Sequence, residues 1–233
     1  MVITISVIPN IIIIPNVLAQ NYVSEVENAP ESSTLKIKAD KLFKIGVEQF
    51  RTGTFEKALE TYKEVLSIHK KLGDFGGVAK TLNNIGDVYI NQREYLKAIE
   101  VLQQALTIHR QINDRSGTAE SLNLIGFIYQ QQDKFSQAVN LHQEALEISR
   151  EVSDRSNEGE SLHNIASAKA SQRQLDLALK FYQEALTIRE EVGDRRDQGR
   201  TLNNIGVVYF NQGDYDKALE TYKKALTVRR EIN

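Results

Sequence analysis

One column of polar residues repeats at a fixed interval along this chain: Asn83, Asn123, His163 and Asn203 lie forty residues apart, with Phe43 one interval earlier. A carboxamide donates and accepts together, so it can pair with the backbone of a bound segment whatever that segment's sequence. At about 0.5 to 1.5 kcal/mol per bond, three such contacts change affinity by on the order of ten- to a thousandfold. The same groups can instead bond between neighbouring helices and hold a scaffold together, and the residues alone leave both roles open. One turn further on, Val47, Asp87, Phe127, Ser167 and Val207 form a mixed column suited to pockets of unequal polarity.

Other candidate chemistry is sparse. His69 and His109 share one register, followed by Ser149, Arg189 and Arg229; a metal site needs more converging ligands, so these positions are expected on solvated helix faces. Arg195, Arg196 and Arg200 form a small basic cluster, again expected as solvated surface, and Arg229 with Arg230 suits a helix C-terminus. Neighbouring acids such as Glu190 and Glu191 point apart on a helix and make a poor acid–base pair. No phosphate loop, serine elbow or HExxH run occurs. Cysteine is absent, which excludes disulfides and thiolate chemistry. The expectation is a non-catalytic chain without metal or cofactor.

The elements that carry these residues follow from the same period. Leu42, Leu82, Leu122, Leu162 and Leu202 are each followed three positions later by isoleucine, and a fixed interval of this length marks a stacked repeat array. Each unit splits into two amphipathic runs: Leu82, Ile85, Val88 and Tyr89 mark one buried stripe, and Ala98, Leu102, Ala105 and Leu106 the next. Short polar turns such as Asn211-Gln212-Gly213-Asp214 separate them, giving helical hairpins. Asp74, Asp114, Asp154 and Asp194 share a register that caps the first helix of each following unit. Gly46, Gly86, Gly126 and Gly206 lie inside first helices, with Ala166 in the fourth, while Ala58, Ala98, Ala138, Ala178 and Ala218 share a position in second helices. The two small-residue columns are expected to meet within each hairpin. Phe55, Tyr95, Phe135, Leu175 and Tyr215 open the second helices and are expected to plug the gap to the first. No proline follows Pro30, as an all-α chain requires.

With 41% hydrophobic and 26% charged residues and a net charge of −2, bulk charge points to no nucleic-acid or acidic-membrane partner. Residues 1–19 carry an uncharged apolar stretch ending Val17-Leu18-Ala19, expected to be an export signal, which would place the protein in the periplasm or outside the cell. A membrane anchor and a disordered hydrophobic tail on a cytoplasmic protein are the alternatives, and no membrane span is expected after signal removal. Residues 20–34 read as a linker and 35–233 as one continuous array with repeats at about 35–74, 75–114, 115–154, 155–194 and 195–233. Ala218, Tyr222, Ala225 and Leu226 end the array without a polar cap, so weak C-terminal self-association is expected; a longer parent protein is the other reading.

Ile85-Gly86, Tyr89, Tyr95, Ala98, Leu102 and Ala105 fall at a spacing that resembles the tetratricopeptide repeat, and the match extends over Lys41 to Asn233. The forty-residue unit is similar to the extended repeats of kinesin light chains and Pins-type adaptors. The Thr-Leu-Asn-Asn-Ile-Gly runs at Thr81 and Thr201, with Gly193-Asp194-Arg195, resemble bacterial exported repeat proteins, many of which join their repeats to a CHAT domain that this chain does not contain. The resemblance implies a right-handed superhelical solenoid of about five hairpins, whose first helices line a concave groove for an extended or helical peptide. The implied function is a protein- or peptide-binding scaffold, with a structural module or sensor arm of a larger exported complex as the alternative. Lys169 and Ala166 depart from the pattern, so looser packing is expected in the fourth unit.

Overall fold

A computed structural model describes residues 29–232, all of its regular structure helical. The expected signal segment, and the expected linker up to residue 28, lie outside the described residues. The helices are α1 (Ala29–Arg51), α2 (Phe55–Leu72), α3 (Phe75–Asn91), α4 (Tyr95–Gln111), α5 (Arg115–Gln131), α6 (Phe135–Glu151), α7 (Arg155–Ser171), α8 (Leu175–Glu191), α9 (Arg195–Gln212) and α10 (Tyr215–Arg230). Helix α1 thus begins inside the stretch expected as linker, with Glu31 in its first turn. A carboxylate there meets the positive end of the helix dipole, and a proline in that turn lacks only an N–H that would have no helical partner. Among the described residues no helix is long and apolar enough to cross a membrane.

The helix boundaries are set by two repeated devices. Asp74, Asp114, Asp154 and Asp194 each accept, through Oδ1, the amide N–H three residues on, at 2.9, 2.9, 3.0 and 3.0 Å. The first four second helices each end on a left-handed residue, Gly73, Asn113, Ser153 or Gly193, whereas α10 ends on Glu231 in the right-handed region. The turn within each hairpin needs the same conformation, and Gly53 and Gly213 supply it freely while Arg93, Asp133 and Arg173 adopt it at φ near 60°. A side chain in that region costs about 1 kcal/mol. Arg93→Gly and Asp133→Gly should therefore each stabilise the chain by about 0.5–1 kcal/mol in urea unfolding; an unchanged or lower midpoint would refute this.

The chain forms two compact units, divided at Ile108 and His109. In the first, Ala58, Tyr62, Ile85 and Val88 form one buried cluster, and Val78, Ala79 and Leu82 pack on Ala105 and Ile108 in another. In the second, Leu146 meets Leu162 and Ile165, and Tyr182 with Leu186 meets Leu202, Ile205 and Val208. Within each unit the second helix of one hairpin thus buries its stripe on the first helix of the next, at about 1.5–3 kcal/mol per large side chain.

Within hairpins the contact differs from the expected pairing of glycine with alanine. All five alanines are buried, but the atoms nearest each glycine belong to the side chain four residues after the alanine. A Cβ on Gly46, Gly86, Gly126 or Gly206 would stand 2.6, 2.5, 2.6 or 2.6 Å from Tyr62, Leu102, His142 or Tyr222. Long helical side chains lean back over the preceding turn, which brings this column above the glycines. The expected looseness at Ala166 is not observed, since Ala166 and Tyr182 beside it are both buried.

Candidate functional site

The asparagine column divides by burial. Asn83, Asn123 and His163 are buried, whereas Phe43 and Asn203 are half-buried, as are Asp87 and Phe127 one turn on. Asn123 joins two first helices, its Nδ2 donating to Ser161 Oγ of α7 at 2.8 Å. Its Oδ1, which can only accept, lies 2.9 Å from His142 Nδ1, so that nitrogen carries the proton. Burial and, in the opposite sense, the charge of Glu160 leave the His142 imidazole at a pKa of about 4. His163, on α7, likewise reaches the next first helix, α9: its Nδ1 is 3.0 Å from Thr201 Oγ1, and Asn204 Nδ2 donates to its Nε2 at 3.2 Å. Burial and the nearby Arg200 guanidinium lower its pKa to about 3. Asn123 and His163 are therefore ties between first helices, and their polar atoms are already engaged inside the packing. Phe43 stacks obliquely on Tyr62 at 5.8 Å and carries Lys80 Nζ 5.0 Å from its ring centre.

The second histidine column also departs from expectation. His69 and His109 are buried rather than solvated, His109 being only 2% exposed. Each Nδ1 reaches the capping aspartate of the following helix, His69 to Asp74 at 2.9 Å and His109 to Asp114 at 2.8 Å. Room for each ring comes from a glycine: a Cβ on Gly77 or Gly117 would lie 2.2 Å from it. Where the histidine is replaced, the glycine is replaced too. Ser149 is followed by Asn157, and Arg189 by Asp197, with Arg189 Nη1 3.0 Å from Asp197 Oδ2.

The expected basic surface cluster is largely neutralised. Arg200 and Arg189 both pair with Glu160, the latter at 2.8 Å, and Arg195 pairs with Glu231. Burial raises the Glu160 carboxyl, but Arg200, His163 and Arg189 outweigh it and hold the pKa at about 2.

Sequence reasoning missed the opening on the first-helix face of the second unit. A cleft of about 400 Å³ lies between α7 and α9. Ser167, Ala170 and Ser171 wall one side; Asn204, Val207 and Asn211 wall the other, with Tyr182 and Arg173 completing the lining. It forms because the fourth unit carries Ala170 and Ser171 where the others carry Phe50, Ile90, Gln130 or Phe210 and Arg51, Asn91, Gln131 or Asn211. The Tyr182 hydroxyl hydrogen-bonds Ser167 and Asn204, and burial raises its pKa. Gln130 Nε2 donates to Ser167 Oγ at 2.7 Å, fixing that hydroxyl from α5. The signal was present in the sequence at Ala170 and Ser171, close to the departures at Ala166 and Lys169 from which looser packing was expected.

Stacked helical hairpins with this register have a counterpart among known families: a tetratricopeptide repeat model matches residues 77–151 and 157–231. The chain belongs to the tetratricopeptide repeat family. No match is found among curated proteins. Among solved structures, this tetratricopeptide repeat chain is similar to BtubC (BKLC) from P. vanneervenii, with a TM-score of 0.69 and 22% identity over 92% of this chain and 88% of that one. It is similar to a Rap protein complexed with competence and sporulation factor, with a TM-score of 0.76 and 18% identity over 93% of this chain, which spans 58% of the Rap chain. A putative kinesin light chain from Podosopora anserina, described as having nearly identical TPR-like repeats, gives a TM-score of 0.60 at 15% identity over 84% of this chain and 96% of that one. These likenesses are of fold.

Proposed function

We propose that this tetratricopeptide repeat protein is a non-catalytic scaffold that binds a segment of another protein on the first-helix face, centred on the cleft between α7 and α9. The observation that carries this reading is the cleft itself, where hydroxyl, carboxamide and guanidinium groups stand beside the exposed Val207. A bound segment's backbone finds donors and acceptors there, and a side chain finds volume. The Rap structure, solved with competence and sporulation factor, supports a ligand-carrying role for a fold of this kind. The seven residues singled out from the sequence take unequal parts in this reading. Phe43, Asp87, Phe127 and Asn203 flank the binding surface of their own units, Asn123 and His163 tie first helices together behind it, and Asn83 is buried.

The test uses peptides selected from a random display library by the wild-type protein. Ala170→Phe introduces the residue found at Phe50 and Phe210 and fills the cleft. Selected peptides should bind this variant at least about tenfold more weakly, with thermal stability within a few degrees of wild type. Asn123→Ala should instead lower stability by about 2 kcal/mol, because it strands Ser161 and His142. Undiminished binding to Ala170→Phe would overturn the assignment.

A further inference from the structure

The outer face of α10 carries a seam that the described residues leave partly uncovered, with Tyr222 half-buried over Gly206. Tyr215, Leu219, Tyr222 and Leu226 follow one another at intervals of four, three and four, the spacing of a helix-pairing stripe. One repeat earlier the same registers hold Leu175, Leu179, Tyr182 and Leu186, which pack on α9, and there Leu186 is only 6% exposed. On α10 Tyr215, Leu219 and Leu226 are 64%, 54% and 48% exposed. The stripe is thus built for a helix running antiparallel to it, as α9 runs to α8.

The charges on α10 indicate which helix that is. Apart from Lys217, its acids, Asp216 and Glu220, lie in the N-terminal half, and its bases, Lys223, Lys224, Arg229 and Arg230, lie in the C-terminal half. A second α10, reversed by a two-fold axis near the middle of the seam, sets acidic half against basic half on both sides. Asp216 and Lys223, seven residues apart on one flank, would then face each other's counterparts twice. Helix α1 of a second copy is a poor occupant, because exposed Lys41 and Glu48 stand at the registers where α9 presents Thr201 and Val208.

We propose that two copies of this protein associate through α10, antiparallel and around a two-fold axis. One helix pair is a small interface, so the dimer should be half-formed on the order of 10–100 μM. Sedimentation equilibrium of the full chain across that range tests it, with circular dichroism confirming that each variant is folded. Leu219→Glu combined with Leu226→Glu should give a monomer at every concentration. Asp216→Lys alone should weaken association at least about tenfold, and adding Lys223→Asp should restore it to within about threefold of wild type. Wild-type protein that stays monomeric at about 0.5 mM, well above the expected midpoint, would overturn the proposal. So would a dimer that survives the two glutamates, or a paired charge exchange that fails to rescue.

Discussion

Lowering the pH from 6.5 to 4 should destabilise the second unit by several kcal/mol, most of it before its carboxylates begin to matter. His142 and His163 are buried and neutral, with pKa values of about 4 and about 3 in the fold against about 6.5 in an unfolded chain. Each therefore contributes stability that is fully present above pH 6.5, declines as the unfolded chain takes up protons below that pH, and is gone below the folded pKa. For His142 alone the loss is about 3 kcal/mol by pH 4. The groups around the pair reinforce the direction: Arg200 and Arg189 repel a protonated His163, and only Glu160 favours it. Glu160 itself adds a loss only below its unfolded pKa of about 4.5. Urea unfolding followed at pH 7, 6, 5 and 4 should show the midpoint falling steadily. His142→Leu, which places there the residue found at Leu102, should start from a lower stability and show a flatter decline. A midpoint constant from pH 7 to 4.5, or a variant with the wild-type slope, would show that neither imidazole is held neutral by the fold.

The start of the second unit, where His109 sits against Gly117, should respond as strongly to Gly117→Asn. The new Cβ would stand 2.2 Å from a His109 ring that is buried and tied to Asp114, so the ring must leave its site. A loss of about 3 kcal/mol is expected from overpacking together with the broken bond. His109→Ser alone should cost about 2 kcal/mol through a cavity and an unanswered aspartate. The two together recreate the pairing of Ser149 with Asn157 and should come within about 1 kcal/mol of wild type. Additive losses in the double variant would refute the size-matching seen across the joints.

Much of the fold was readable in the sequence because helices leave periodic traces. The aspartate caps, the turn glycines and the leucine–isoleucine stripe each have a local cause, and the described helices begin and end where those causes place them. The site was less legible. Asn123 and Phe127 differ little as letters on a helical wheel, yet one is buried between α5, α6 and α7 and the other is half-buried; only the angle between neighbouring helices separates them. His109 was misread as solvated because its burial depends on Gly117 eight residues later, across a turn. The cleft was encoded as missing volume at Ala170 and Ser171, which a pattern search records as imperfection.

Hairpins that share one register carry a particular hazard: any one of them can try to dock on the wrong neighbour. The joints make such errors unequal in energy. His109 needs a glycine opposite it, Ser149 is matched with Asn157, and the Arg189 guanidinium is matched with Asp197. If α4 met α7, a histidine would press on Asn157; if α6 met α9, Asp197 would lose its cation and Ser149 would leave a gap. A mismatched joint would therefore cost energy that a matched one does not. Removing or duplicating a single forty-residue unit would create mismatched joints, so the order of the repeats is fixed by the residues between them as well as by the peptide chain that connects them.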